Sequence, residues 1–233
     1  PSSTDDAHSW FVPKSWNGTD VSGYQKATIS KQLEGSYTLK GDTETYYAYT
    51  MAEYTLYTIN QTGEADVYLD NSSSNGPVVV TASEGASKDW FDKIKGSLRV
   101  GLLINDELKV VYAPVLPTGK GNDVSATEGW SCVNPDSLSV TMAPSYAHVC
   151  GGNMIDQNSK NWGATGSGDS YVKPTGDAQM LAHVGYSGTN FKVVIWMEGT
   201  DSDCQNMSGL DVGEGSPTFD VTVSLVGIVP DSK

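Results

Sequence analysis

Apolar and polar residues alternate most clearly near the C-terminal end of the chain. Phe191, Val193, Ile195 and Met197 fall on one face of an extended strand. Phe219, Val221, Val223 and Leu225 do the same, with Asp220, Thr222 and Ser224 pointing the other way. Both runs are rich in β-branched residues and bounded by Gly, Asp, Ser and Pro, so each predicts a strand with one buried face. Residues 46–59 (YYAYTMAEYTLYTI) are dense in Tyr and Thr and read as strand, as do the shorter runs 65–69 and 78–82 on either side of the turn-rich stretch 70–77. Leu98, Val100, Leu102 and Ile104 share a face, and Asn105-Asp106 before the run 108–112 predicts a hairpin. Gly101 inside that strand predicts a bulge or a close backbone approach. Short strands are expected at 138–142 and 180–186.

One helix interrupts the strands. Ser87 can cap it, Asp89 sits in its first turn, and Trp90, Phe91 and Ile94 supply an apolar side. Lys93 and Lys95 suit the C-terminal dipole, and Gly96 is expected to end it. At about two turns it depends on tertiary packing. The elements together predict an all-β fold of two packed sheets, with one short helix and long loops. Residues 24–233 are read as one β-sandwich domain carrying a loop-rich insertion at about 114–188, with no internal repeat. Residues 1–23 are read as a polar N-terminal arm bearing an apolar island of Trp10, Phe11, Val12 and Trp16, in which Pro13 blocks regular pairing. Such an arm either folds back on its own domain or docks elsewhere.

Charge narrows the partners. The chain carries 28 acidic against 14 basic residues, a formal charge of −14, and would repel nucleic-acid phosphates and anionic lipid. No run reaches the roughly 20 apolar residues of a membrane helix. The chain starts at Pro1 rather than Met, which fits a processed secreted chain as well as a shortened one. Three cysteines, Cys132, Cys150 and Cys204, lack CxxC spacing. In an oxidising compartment two of them can pair; all three connectivities stay open, with Cys132–Cys150 preferred because the segment between them could form a hairpin-like excursion.

Three stretches carry a resemblance. The segment HSWFVPK within residues 7–14, RVGLLI with VVYAP in residues 97–114, and VVIWMEGTDSDC followed by TFDVTVSL in residues 191–225 resemble the TasA/camelysin superfamily, exported proteins of Gram-positive bacteria processed by a SipW-type signal peptidase. The resemblance does not cover the loop-rich middle. It implies a jelly-roll-like β-sandwich and a secreted subunit of an extracellular matrix or surface fibre. Some relatives polymerise head to tail by donating an N-terminal strand to the next copy, so the partner implied is the chain itself. The polymerisation residues expected are Trp10, Phe11, Val12 and Trp16.

The chemistry-bearing residues do not assemble into an enzyme motif. His8, His148 and His183 are the only histidines and none lies in HExxH, so the metalloprotease label of camelysin-type relatives transfers poorly. There is no GxSxG, and Cys150 near His148 does not make a dyad. The chain is therefore read as not an enzyme. Glu198, Asp201 and Asp203 form the densest acidic cluster beside a predicted core strand. They read first as an ordinary solvated turn, and they also offer oxygen ligands for a weak Ca²⁺ site, the one cofactor the chain suggests. Trp130, Trp162 and Tyr171 in loops are candidate sugar platforms, which keeps a secreted carbohydrate-binding module as the alternative function; packing is the competing use of such rings. Sequons occur at Asn17, Asn60, Asn71 and Asn206 and matter only in a glycosylating source.

Overall fold

The computed structural model describes residues 9–13, 24–28, 36–37, 46–47, 49–86, 88–114, 132–133, 140–141, 154–155, 163–174, 180–197 and 218–230. Its strands in chain order are β1 (Ser9–Pro13), β2 (Tyr24–Thr28), β3 (Ser36–Tyr37), β4 (Tyr46–Tyr47), β5 (Tyr49–Leu56), β6 (Glu64–Leu69), β7 (Val78–Ala82), β8 (Leu98–Ile104) and β9 (Glu107–Tyr112). They continue with β10 (Cys132–Val133), β11 (Val140–Thr141), β12 (Met154–Ile155), β13 (Ala182–Gly185), β14 (Thr189–Met197), β15 (Phe219–Val223) and β16 (Leu225–Ile228). The helix α1 (Lys88–Ile94) and a 3₁₀ turn (Lys95–Ser97) lie between β7 and β8. The all-β class is as expected.

Five strands form the larger sheet, in the order β12-β9-β8-β14-β5. Facing it is a smaller layer in which β6 pairs with β13 on one side and with β16 on the other, while β7 pairs with β15. The C-terminal segment unites β6 and β7. Val223 stands opposite Val78 and Leu225 opposite Leu69, and between them Ser224 donates its N–H to the Pro77 carbonyl and accepts the Asp70 N–H, both at 2.8 Å. Residues 70–77 are thus an excursion from one long ladder. That is why the turn-rich stretch separates two strands that share a partner.

The core lies between the two layers. Ala65, Val67 and Leu69 of β6 and Val78 of β7 meet Val100, Leu102 and Ile104 of β8, Val110 and Tyr112 of β9, and Phe191 and Val193 of β14. Leu181, Ala182 and Val184 belong to this core, so part of the loop-rich region 114–188 is a structural strand. The periods of β8 and β14 place the expected residues inward. Their other faces are also buried: Val194 on β14 is fully covered, Trp196 is 2% exposed and Leu103 on β8 is 1% exposed. The one-sided reading of β14 is therefore corrected. A run such as VVIW or VGLLI, with few polar breaks, marks a strand covered on both sides. Conversely, the inward residues of β15 and β16 are only half-buried, because these strands lie at the margin of the smaller layer.

Local signals were obeyed closely. Asn105 and Asp106 both adopt positive φ, 50° and 67°, forming the two-residue primed turn of the β8–β9 hairpin. The ladder slips at Leu102/Leu103, and a Cβ on Gly101 would stand 2.9 Å from Trp196 Cζ3, so this glycine answers a close approach beside a bulge. The helix packs Phe91 and Ile94 with Leu98 against Val80 and Phe219. Gly96 does not end it; the chain tightens into the 3₁₀ turn through a buried Gly96 and leaves at Leu98. Ser87, the expected cap, lies outside the described residues.

Candidate functional site

Among the described strands the largest sheet ends in β5, most of whose residues are exposed. β5 pairs with β14 over eight consecutive residues without a bulge, from Tyr49↔Trp196 to Leu56↔Thr189. Opposed residues share a face, so Thr50, Ala52 and Tyr54 lie on the core side, beside Ile195, Val193 and Phe191. All three are nevertheless exposed, Tyr54 at 54%, with its ring 6.1 Å from that of Phe191. The smaller layer therefore stops short of β5 and leaves it overhanging. On the opposite face Met51 is exposed too, while Tyr49 is buried at the start of the strand. Among the described strands, the edge of β5 away from β14 has no partner.

Sequence reasoning assigned this strand but missed its exposure. The available signal was the lack of alternation: YTMAEYTL mixes Tyr, Thr and Glu without a continuous apolar face, as suits a strand wet on both sides.

The opposite face of the same edge holds an ion cluster. Lys192 Nζ lies 2.6 Å from Asp106 Oδ1 and 3.9 Å from Glu53 Oε1. Its hydrogen bond to Asp106 and the neighbouring negative charges outweigh partial burial and hold the ammonium above the ordinary lysine value. The Asn190 amide donates to Glu53, which completes a link from β5 through β14 to the β8–β9 turn.

A second polar site straps the end of β6. Ala164, fully buried, donates its N–H to the Leu69 carbonyl and accepts the Asn71 N–H, each at 2.8 Å. Asp70 accepts the Ser72 N–H at 3.0 Å and the Tyr171 hydroxyl at 3.0 Å. Burial pushes the Asp70 carboxyl up, but the bonds from Ser72 and Tyr171 prevail and hold it below its ordinary value. Tyr171, one of the candidate sugar platforms, is half-buried and tied by its hydroxyl to this strap.

Other sequence candidates fall as follows. Trp10, Phe11 and Val12 lie in β1, which forms an antiparallel ladder with β2, pairing Pro13 with Tyr24 at its end. Pro13 does not prevent pairing, because a strand terminus tolerates the missing N–H. The ladder also crosses the expected arm boundary at residue 23. Cys132 is in β10, opposite Thr141 of β11. Trp16, Cys150, Cys204, Glu198, Asp201, Asp203, Trp130, Trp162, His8, His148, Asn17 and Asn206 lie outside the described residues. His183 sits between two carboxylates of β6, with Nδ1 2.9 Å from Asp66 and Nε2 3.4 Å from Glu64. Asn60 is occupied in the β5–β6 turn, donating to the Glu64 carbonyl and accepting from Thr62 and the Gly63 N–H. Beside that turn, Tyr57, Ile59 and Tyr186 are exposed, and the Tyr186 hydroxyl bonds the Asn60 carbonyl.

Among the described residues no group of three or more His, Cys, Asp or Glu side chains is arranged to hold a metal ion, and no helix is long and apolar enough to cross a membrane. Comparison with protein-family models, with curated proteins and with solved structures found no match.

Proposed function

We propose that this chain is a secreted structural subunit of an extracellular filament, part of a matrix or surface fibre, in which each copy donates its N-terminal segment to the next. The observation that carries this reading is the state of that segment. The apolar residues Trp10, Phe11 and Val12 sit in a strand, β1, which among the described strands ladders with β2 alone, in a two-stranded sheet. A two-stranded hairpin is marginal by itself in water, so it gains by joining a larger sheet. Burying one large apolar side chain contributes about 1.5–3 kcal/mol, enough for two or three to anchor the segment. Donor and acceptor lie on different parts of the chain, so the contact is head to tail, and it gives filaments where its rotation does not close into a ring. The resemblance of residues 7–14 to exported fibre proteins points the same way.

The test is negative-stain microscopy and sedimentation of the full chain beside a version lacking residues 1–16. Filaments from the first and folded, unassembled subunits from the second are expected. Equal assembly by both removes the donor role from the segment.

A second reading, a carbohydrate-binding module, draws support from the exposed Tyr57 and Tyr186 at one end of the sandwich. Monodisperse monomers that bind a glycan, with affinity lost in Tyr57→Ala or Tyr186→Ala, would favour it over the filament.

A further inference from the structure

We propose that the acceptor for the donated segment is the free edge of β5, and that it receives β1 of a second copy as the outer strand of an intact β1–β2 hairpin. This rests on the filament reading above and assigns the surface it needs.

Among the described strands the two layers end in β12, β5, β13, β7 and the β15–β16 segment; β7 has five residues, and its Val80 and Ala82 pack with the α1 cluster. β12 has two residues and β13 four, too short for a firm ladder. The segment β15–β16 divides its ladder at Ser224 between β7 and β6, and it carries Asp220 and Gly227 along its length. β5 alone offers eight residues in unbroken register.

It is also undefended. Natural sheets blunt an exposed edge with Lys, Pro, a bulge or a very short strand. Tyr49–Leu56 contains no Lys, Arg, Pro or Gly and has no bulge; Glu53 is its only charge. Tyr, Thr and Met with little charge make a segment that pairs readily with another chain. Left bare on a secreted protein, this edge would invite indiscriminate pairing, so a specific occupant is expected.

The occupant is another copy's β1 for three reasons. Within one chain, β1 shares no ladder with β5. Two copies each carrying −14 repel, and contact is least opposed between segments poor in acid; Ser9–Pro13 has no charged residue. An incoming strand also needs alternate apolar side chains to cover the overhang at Thr50, Ala52 and Tyr54. Trp10 and Val12 recur at that two-residue spacing, with Phe11 for the other face. Because β2 occupies one edge of β1, the other edge can join β5 without breaking the hairpin. Backbone bonds then supply affinity and the side chains supply register.

The experiment uses three full-length or near full-length proteins: the wild type, the edge variant Thr50→Lys with Ala52→Lys, and the version lacking residues 1–16. Both substituted positions are exposed, so the fold should survive, as checked by circular dichroism. The wild type is expected to form filaments and neither variant to do so alone. Mixed together, the edge variant supplies an arm and the truncated chain supplies an edge, so heterodimers and nothing longer are expected. A synthetic peptide of residues 8–14 in excess over wild type should stop elongation and protect the amides of residues 50–55 from hydrogen exchange, a readout independent of any variant. If the edge variant polymerises like wild type and the peptide leaves β5 unprotected, the acceptor is elsewhere while the filament reading stands. If the wild type never assembles, or cross-links show its own β1 on its own β5, the filament reading fails as well.

Discussion

The indole of Trp196 on β14 occupies the space that a side chain at Gly101 on β8 would need. A Cβ there would stand 2.9 Å from Trp196 Cζ3 and 3.1 Å from Leu108 Cδ1. Trp196 is 2% exposed and fixed in a ladder with β5 and β8, so the ring has little room to retreat. Gly101→Ala is expected to destabilise by about 1–3 kcal/mol despite the better strand propensity of alanine. Urea melts monitored by tryptophan fluorescence measure it, and Leu108→Ala in the same background should recover part of the loss.

The β8–β9 turn sets two effects against each other. Asn105 and Asp106 both hold positive φ, where glycine is cheaper by up to about 1 kcal/mol. Asp106 also holds the half-buried Lys192 at 2.6 Å, and with Asp106 itself exposed this ion pair contributes up to about 1 kcal/mol. Asn105→Gly is therefore expected to be neutral or mildly stabilising and Asp106→Gly the less stable of the two variants, the opposite of the ranking from turn chemistry alone. Denaturant midpoints of the two variants decide it. Lys192 is raised in the folded state, so its contribution is complete below the unfolded lysine pKa near 10.4 and lost as pH rises through the folded value. The deficit of Asp106→Gly should accordingly shrink only at strongly alkaline pH.

Acid should loosen the strap at β6. Asp70 is depressed in the folded state, so its stabilisation is complete above the unfolded aspartate pKa near 3.9 and lost as pH falls through the folded value. Asp70→Asn is expected to lower Tm at neutral pH by an amount equivalent to about 1 kcal/mol or less, given the partial exposure, and to flatten the acid limb of the Tm profile. Tyr171→Phe should remove part of the same effect without changing the limb's sign. A profile of Asp70→Asn parallel to wild type would show the carboxylate to be uncoupled from folding.

Gly163 anchors the strap itself. Its φ is +88° and a Cβ would fall 2.3 Å from the Leu69 carbonyl oxygen, a main-chain atom that cannot swing aside. Gly163→Ala is expected to cost more than Gly101→Ala, about 2–4 kcal/mol, since backbone strain adds to the clash. Hydrogen exchange should show loss of protection at the Ala164 and Asn71 amides, which carry the strap's bonds to β6.

The chain by itself determined the elements. Period-two alternation, the Asn-Asp turn, the short amphipathic helix and the glycine inside LRVGLLI are local signals, and the structure places a strand, a primed turn, a helix and a close contact at each. Tertiary structure alone decided which strands lie in the middle and which at the rim. Phe191 and Phe219 look alike in sequence, each opening an alternating run, yet Phe191 is buried between two layers and Phe219 is half-exposed on a marginal strand. Residues 46–59 read as another strand, and only the sheet order shows that β5 overhangs with both faces wet. The pairing of β6 and β7 with one C-terminal segment was equally hidden, as was the bond from Tyr171 to Asp70, 101 residues apart. Alternation records which side of a strand is apolar and is written in neighbouring residues. Position within a sheet depends on long-range ladders between segments far apart in sequence, and it is that position which puts β5 at the rim of the larger sheet.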